Sequence, residues 1–269
     1  MKCPSMPAVF FALLIAICAN ALIGAEPATP EPDYTIHELQ IITAKPGKLA
    51  ALQEWFKQHD QDVLAKHGAK TLAYLLPAQT QAGENAANKI LCLYEHPSTK
   101  ALMQFSRKVK ADPLWKPLDT SQPGPQLLVE NTEVIWLRPT DFSPEFKPTK
   151  SSQPRVFELR TYTCPSPEKL AALHNRFRDH TMGLFAKYGM ENLVYWQPLG
   201  LEDGDRKLVY LLAHDSVNAA KESFSKFRAD PEWLKAKKAS EERAGGSLTE
   251  AVDGVLSEFF VGAEYSPLR

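Results

Sequence analysis

Two groups of residues have the types and spacing to do chemistry. Glu38 and Gln40 in the first half, and Glu158, Arg160 and Tyr162 in the second, occupy alternate positions on strand-like runs. Alternate residues of a strand share one face. Two carboxylates, an amide, a guanidinium and a phenol on one face suit a polar ligand or a tuned proton transfer. The competing reading is structural: a Glu158–Arg160 pair, or an ion pair between the halves, that knits the protein together. The second group is His59 and His180, each three residues after a Phe on an apolar helical stripe (56, 59, 63 and 177, 180, 184). Such a histidine is a general base, an axial haem ligand, or a core residue bonded to a backbone carbonyl.

Other polar clusters have plainer readings. His214-Asp215-Ser216 has the residue types of a catalytic triad, but consecutive residues cannot take a triad's arrangement. Asp215 or Ser216, like Ser98, instead reads as the cap of a following helix. His67 is matched by Tyr188 in the second half, which argues against a paired ligand role. There is no CxxC, no HExxH and no G-x-S-x-G, and Gly245-Gly246 lacks the Walker context. No metal site is expected, and no cofactor is evident beyond the haem option at His59 or His180.

The elements that carry these residues form a tandem repeat. Residues 46–68 align with 167–189 without a gap, and 11 of those 23 positions are identical, among them Pro46/Pro167, Leu52/Leu173, Phe56/Phe177, His59/His180 and Gly68/Gly189. Glu38-Leu39 matches Glu158-Leu159. Ala111-Asp112-Pro113-Leu114-Trp115 matches Ala229-Asp230-Pro231-Glu232-Trp233, and Asp141-Phe142-Ser143-Pro144 echoes Glu264-Tyr265-Ser266-Pro267. A period of roughly 120 residues is a duplicated domain, not a solenoid unit. Each copy reads as a strand (34–43; 155–163), a helix on the apolar stripe ended by Gly68 or Gly189, strands at 71–76 and 89–95 (193–196 and 208–213), and a helix from about Ser98 or Ser216. A short Asp-Pro-x-Trp segment, in which the Trp closes the core, and a last strand (132–137; 256–261) complete it. Ser166 and Pro167 mark the helix start in the second copy.

The order β-α-β-β-α-β is the ferredoxin-like unit. The expected fold is α+β: two tandem ferredoxin-like domains closing face to face as an intramolecular pseudo-dimeric α/β barrel. Leu39 and Leu159 are expected to face the helices, leaving Glu38, Gln40, Glu158, Arg160 and Tyr162 to line the interior, with His59 and His180 on the outer side.

Phe157-Glu158-Leu159-Arg160-Thr161-Tyr162, Phe185-x-Lys187-Tyr188-Gly189 and Ala229-Asp230-Pro231-Glu232-Trp233 make the second copy resemble a NIPSNAP domain. The first copy is a divergent version, with Glu38-Leu39-Gln40 in place of Glu-Leu-Arg. The resemblance implies the dimeric α/β-barrel superfamily, whose members include monooxygenases, haem-dependent enzymes and isomerases; NIPSNAP members are mostly described as binding or scaffolding proteins. It implies no single reaction. The leading expectation is a protein of uncharacterised activity that binds a small molecule or a protein partner in the interior between its domains. The alternatives are a cofactor-free or haem-assisted monooxygenase-like enzyme and a structural or assembly protein.

Composition bounds the rest. The chain has 269 residues, 31 basic and 32 acidic side chains, and a formal charge of −1, which argues against a nucleic-acid partner. Lys2 followed by an apolar run to Ala25 reads as a signal peptide with cleavage after Ala25. An uncleaved anchor and a lipoprotein at Cys18 are the alternatives. The expected divisions are a signal peptide (1–25), a leader (26–33), a first domain (34–140), a linker (141–154) and a second domain (155–265). The mature protein is expected in the periplasm or secreted, with no membrane span after cleavage. Cys92 and Cys164 remain, read as two buried unpaired thiols, with a disulfide as the alternative. The internal pseudo-dimer leaves further oligomerisation open.

Overall fold

A computed structural model of the chain describes residues 34–78, 88–112 and 127–269. The signal, leader and Trp115 expectations lie outside the described residues. The first repeat runs β1 (Ile36–Ala44), α1, β2 (Lys70–Pro77), β3 (Lys89–His96), α2 (Thr99–Ala111) and β4 (Val129–Pro139). Helix α1 has three stretches, Leu49–Trp55, a π-helical turn Phe56–Asp60, and Gln61–Lys66. The second repeat runs β5 (Val156–Thr163), α3, β6 (Glu191–Leu199), β7 (Lys207–His214), α4 (Val217–Ala229), α5 (Pro231–Arg243) and β8 (Val255–Gly262). Helix α3 repeats the pattern of α1: Pro167–Arg176, the π turn Phe177–Thr181, then Met182–Lys187.

The helix starts follow from the sequence. Ser98, Ser166 and Ser216 each accept a hydrogen bond from the backbone N–H three residues on. Gly68 and Gly189, at φ 85° and 77°, turn the chain out of α1 and α3 in the left-handed region that glycine enters without strain. The second repeat also corrects one expectation. Its Asp-Pro-x-Trp stretch is the start of a full helix, α5: Asp230 accepts from the N–H groups of Glu232 and Trp233, and Pro231 occupies the first turn.

All eight strands close into one antiparallel barrel in the order β1-β3-β2-β8-β5-β7-β6-β4. The repeats meet at two seams, β2 with β8 and β4 with β6. The fold is therefore a pseudo-dimer of two ferredoxin-like units in one chain. Closure leaves no open sheet edge.

The lumen is filled. Leu39, Leu91, Leu93 and Leu137 of the first repeat meet Phe157, Leu159, Trp196 and Leu211 of the second, all buried in one cluster. A fully buried side chain of this size contributes about 1.5–3 kcal/mol. Separate apolar clusters lie under the helices of each repeat; the first holds Cys92 and the second Cys164, both free thiols.

Each repeat ends in a strap across the other. The Tyr195 N–H donates to Ser143 Oγ and the Tyr74 N–H to Ser266 Oγ, both at 3.0 Å. Phe146 and Leu268 then enter the lumen cluster from these straps. A Cβ on Gly262 would sit 2.5 Å from the Leu268 carbonyl oxygen, so the C-terminal strap needs glycine there.

Candidate functional site

The structure reverses the expected face of the first group. Leu39 and Leu159 point into the lumen. Glu38, Gln40, Glu158, Arg160 and Tyr162 lie on the other side, between the sheet and the helices. The Arg160 guanidinium stacks over Phe224 of α4 at 4.5 Å, and Tyr162 packs on Phe177 of α3. The reason is space and partners. The closed lumen is packed with apolar side chains from both repeats, whereas the helix side offers hydroxyls and imidazoles.

In the second repeat these residues form one network. Arg160 Nη1 donates to Glu158 Oε1 at 2.5 Å, and its Nε to the Tyr210 hydroxyl at 2.8 Å. Ser257 Oγ also donates to Glu158 Oε1, and His214 Nε2 lies 3.0 Å from Oε2. Burial alone would raise the Glu158 carboxyl, but His214, Arg160 and Ser257 together hold it below its ordinary value. The first repeat keeps a reduced version: Gln40 Nε2 donates to Glu38 Oε1 at 2.6 Å, and His96 Nε2 lies 2.8 Å from Oε2. A carboxylate with both oxygens engaged by side chains of its own and neighbouring strands, and nearly no exposure, is built to tie those strands together. The structure thus brings together each repeat's own strand residues, but not the two sets with each other.

His59 and His180 lie on the outer side, away from the lumen, but off the buried stripe of their helices. The π turn inserts one extra residue into the helix, so the buried positions are Phe56 then Asp60, and Phe177 then Thr181. His180 is exposed, and His59 is half-buried against Trp55. Neither faces the lumen. Thr181 Oγ1 donates to the Arg176 carbonyl at 3.1 Å, five residues back, within the π turn. Asp60 goes fully inside, where its Oδ2 accepts from the Tyr74 and Tyr94 hydroxyls while Oδ1 has no partner. Burial raises its carboxyl to about 7. His67 and Tyr188 have a shared structural use: they bond to Asp112 and Asp230, which also take Lys66 and Lys187 at 2.7 Å.

One place where the repeats meet and remain open is the mouth of the barrel at the start of β1. A cleft of about 650 Å³ is lined there by His37, Lys70, Glu95 and Arg138 of the first repeat, Phe146 after it, and Val194 of the second. His37 is buried, facing the lumen. The Trp196 indole N–H, from the other repeat, donates to its Nδ1 at 2.8 Å. Indole nitrogen can only donate, so the ring proton of His37 sits on Nε2, which faces Glu95 Oε2 at 3.6 Å. His37 and Lys70 hold the Glu95 carboxyl below its ordinary value. By register, the second repeat has Phe157 where the first has His37, and Ala213 where it has Glu95. The corresponding place in the second repeat therefore lacks the His–Glu pair; there the Arg155 guanidinium lies 5.3 Å over the Phe157 ring and pairs with Glu191 at 2.7 Å. Sequence reasoning missed His37 and Glu95. The signal was present in the repeat itself, as two polar residues matched to Phe and Ala.

Residues 157–266 match the NIPSNAP family model. The match falls on the second repeat. The chain as a whole is similar in fold to a putative monooxygenase from Fusobacterium nucleatum subsp. nucleatum, 11% identical, with 86% of this chain and 94% of that one covered and a TM-score of 0.52. It is equally similar to an anthrone oxidase-like protein, at 15% identity, 87% and 93% coverage, and a TM-score of 0.53. An uncharacterized NIPSNAP-like domain protein from Burkholderia xenovorans is 18% identical over 45% of this chain and 97% of its own, with a TM-score of 0.36. No curated protein matches the chain. At these identities the first two structures speak to the fold alone. Among the described residues no helix is long and apolar enough to cross a membrane.

Proposed function

We propose that this NIPSNAP-domain protein binds one small molecule in the cleft at the barrel mouth, between its two repeats. The observation that carries this is the His37–Trp196 hydrogen bond, which fixes a buried imidazole from one repeat with an indole from the other at the base of an open cleft. Lys70 and Arg138 at the same cleft favour a ligand with a hydrogen-bond-accepting group such as a carboxylate or carbonyl. The filled lumen leaves no room for a ligand in the interior, so the proposed site is the mouth and its residues differ from those first expected. The monooxygenase reading rests on likeness of fold to a putative monooxygenase and an anthrone oxidase-like protein. With its proton on Nε2, His37 presents a donor to the cleft, which suits recognition better than proton abstraction. Export through the N-terminal apolar segment is part of the proposal and rests on the sequence alone; N-terminal sequencing of the mature protein tests it, and a retained Met1 overturns it.

The binding test is native mass spectrometry of protein purified from its own source. The expected result is a low-mass adduct on the wild type that is lost in His37→Phe, which installs the residue of the second repeat. A wild-type spectrum with no adduct, or an adduct kept at full occupancy by His37→Phe, overturns the reading.

A further inference from the structure

A second concavity lies on the opposite side of the sheet from the lumen, between α3 and α5 of the second repeat. It measures about 460 Å³, and its walls carry Lys169, Arg176 and His180 from α3 and Ser240 and Arg243 from α5. Arg176 is the unusual member. Its residue is 6% exposed, yet its partners are thin. Nη1 lies 3.3 Å from Ser240 Oγ and 3.6 Å from Glu241 Oε1, a carboxylate that Lys237 also approaches at 3.6 Å. The guanidinium sits over the Trp233 ring at 5.1 Å. Its buried Nε has no hydrogen-bond partner. A buried donor left unsatisfied is costly, and a guanidinium presents a fork of donors that fits an oxyanion. The basic groups on the groove walls, Lys169, Arg176 and Arg243, outnumber the acidic ones, Glu168 and Asp179. Arg243 and His180 form no ion pair among the described residues, and Lys169 donates only to the Gly246 carbonyl, at 3.1 Å. Small residues, Ala172, Ala236 and Ala239, keep the groove open between these charges. The first repeat has Trp55 at the position of Arg176, so the duplication did not keep two such sites.

We propose that the groove between α3 and α5 is a binding site for a small oxyanion, a carboxylate or phosphate, held by Arg176 with Lys169 and Arg243 at its rim. The site is separate from the barrel-mouth cleft and independent of what that cleft binds.

Isothermal titration with inorganic phosphate, and in parallel with acetate, at ionic strength held constant with chloride, tests it on the full chain. Saturable binding by at least one of the two anions is expected, and which one binds decides between phosphate and carboxylate. Lys169→Gln and Arg243→Gln, both on the rim, are each expected to weaken that binding about five-fold, the effect of an exposed charge of this kind. Arg176→Lys keeps a positive charge but removes the fork, and is expected to weaken it further. Lys100→Gln, on α2 of the first repeat, is expected to leave it unchanged. Absence of saturable binding for both anions up to about 50 mM, well beyond the range of a specific site, overturns the proposal. So does binding that both Lys169→Gln and Arg243→Gln leave at full strength.

Discussion

Asp60 gives the most direct quantitative prediction. The π turn carries its carboxyl fully into the layer between α1 and the sheet, where only Oδ2 is hydrogen-bonded. Burial raises its folded-state value from 3.8 to about 7. Below pH 4 the carboxyl is protonated in both folded and unfolded chains and takes nothing from stability. Between about 4 and 7 the unfolded chain loses its proton while the folded chain keeps it, so stability falls as pH rises. Each pH unit costs about 1.4 kcal/mol, and the interval spans about three of them, giving ~4 kcal/mol lost by pH 8. Asp60→Asn removes the titration but keeps the shape and the hydrogen-bonding capacity toward Tyr74 and Tyr94. The variant should therefore gain ~4 kcal/mol relative to wild type on going from pH 4 to pH 8, whatever its offset at pH 4. Urea unfolding followed by tryptophan fluorescence reads this directly: at an m-value of about 3 kcal/mol/M the difference in midpoint should move by about 1.3 M. A difference that stays constant within about 0.3 M across that range, set by the same m-value, would refute the reasoning.

The two strand carboxylates should differ in weight. Glu158→Gln strands the buried Arg160 charge and should cost ~3–5 kcal/mol, whereas Glu38→Gln, which faces Gln40, should cost ~1–2 kcal/mol. Because Glu158 is held below its ordinary value, its contribution should be present near neutrality and fade as pH falls through its folded value. Equal costs for the two variants in urea unfolding would show that the Arg160 pairing is not what distinguishes the repeats. Leu159→Ala, in the filled lumen, should cost ~2–5 kcal/mol by the same assay; a loss below about 1 kcal/mol would mean a hollow lumen rather than a packed one.

Much of the architecture was legible in the chain because it is written in local chemistry that is repeated. Serines that cap, glycines that end helices and apolar periodicity recur at matched positions, and a duplicated β-α-β-β-α-β order has few ways to close. Asp112 and Asp230 were visible as a recurrent motif, though not their use in tying down the end of the first helix through Lys66 and Lys187. Helix α5 was underestimated because its length depends on packing against α3, not on a strong apolar stripe.

The site was less legible. Strand β1 has apolar residues at both parities, Ile36 and Ile42 on one face and Leu39 and Ile41 on the other, with Glu38 and Gln40 among the first set. A strand buried on both faces carries no parity signal that says which face is the lumen. That choice was made by closure of the barrel, which demands an apolar filling from all eight strands and sends the charges to the helix side. The π turns, invisible to a 3.6-residue period, moved Asp60 and Thr181 inward and His59 and His180 aside. His37 acquired its setting only when Trp196, 159 residues away, was brought against it. The sequence by itself determined the elements, their duplication and the closed α/β barrel. Only the tertiary structure decided which face of each strand is inside and that His37 meets Trp196 beside an open cleft, because both depend on contacts between the repeats that neither repeat encodes alone.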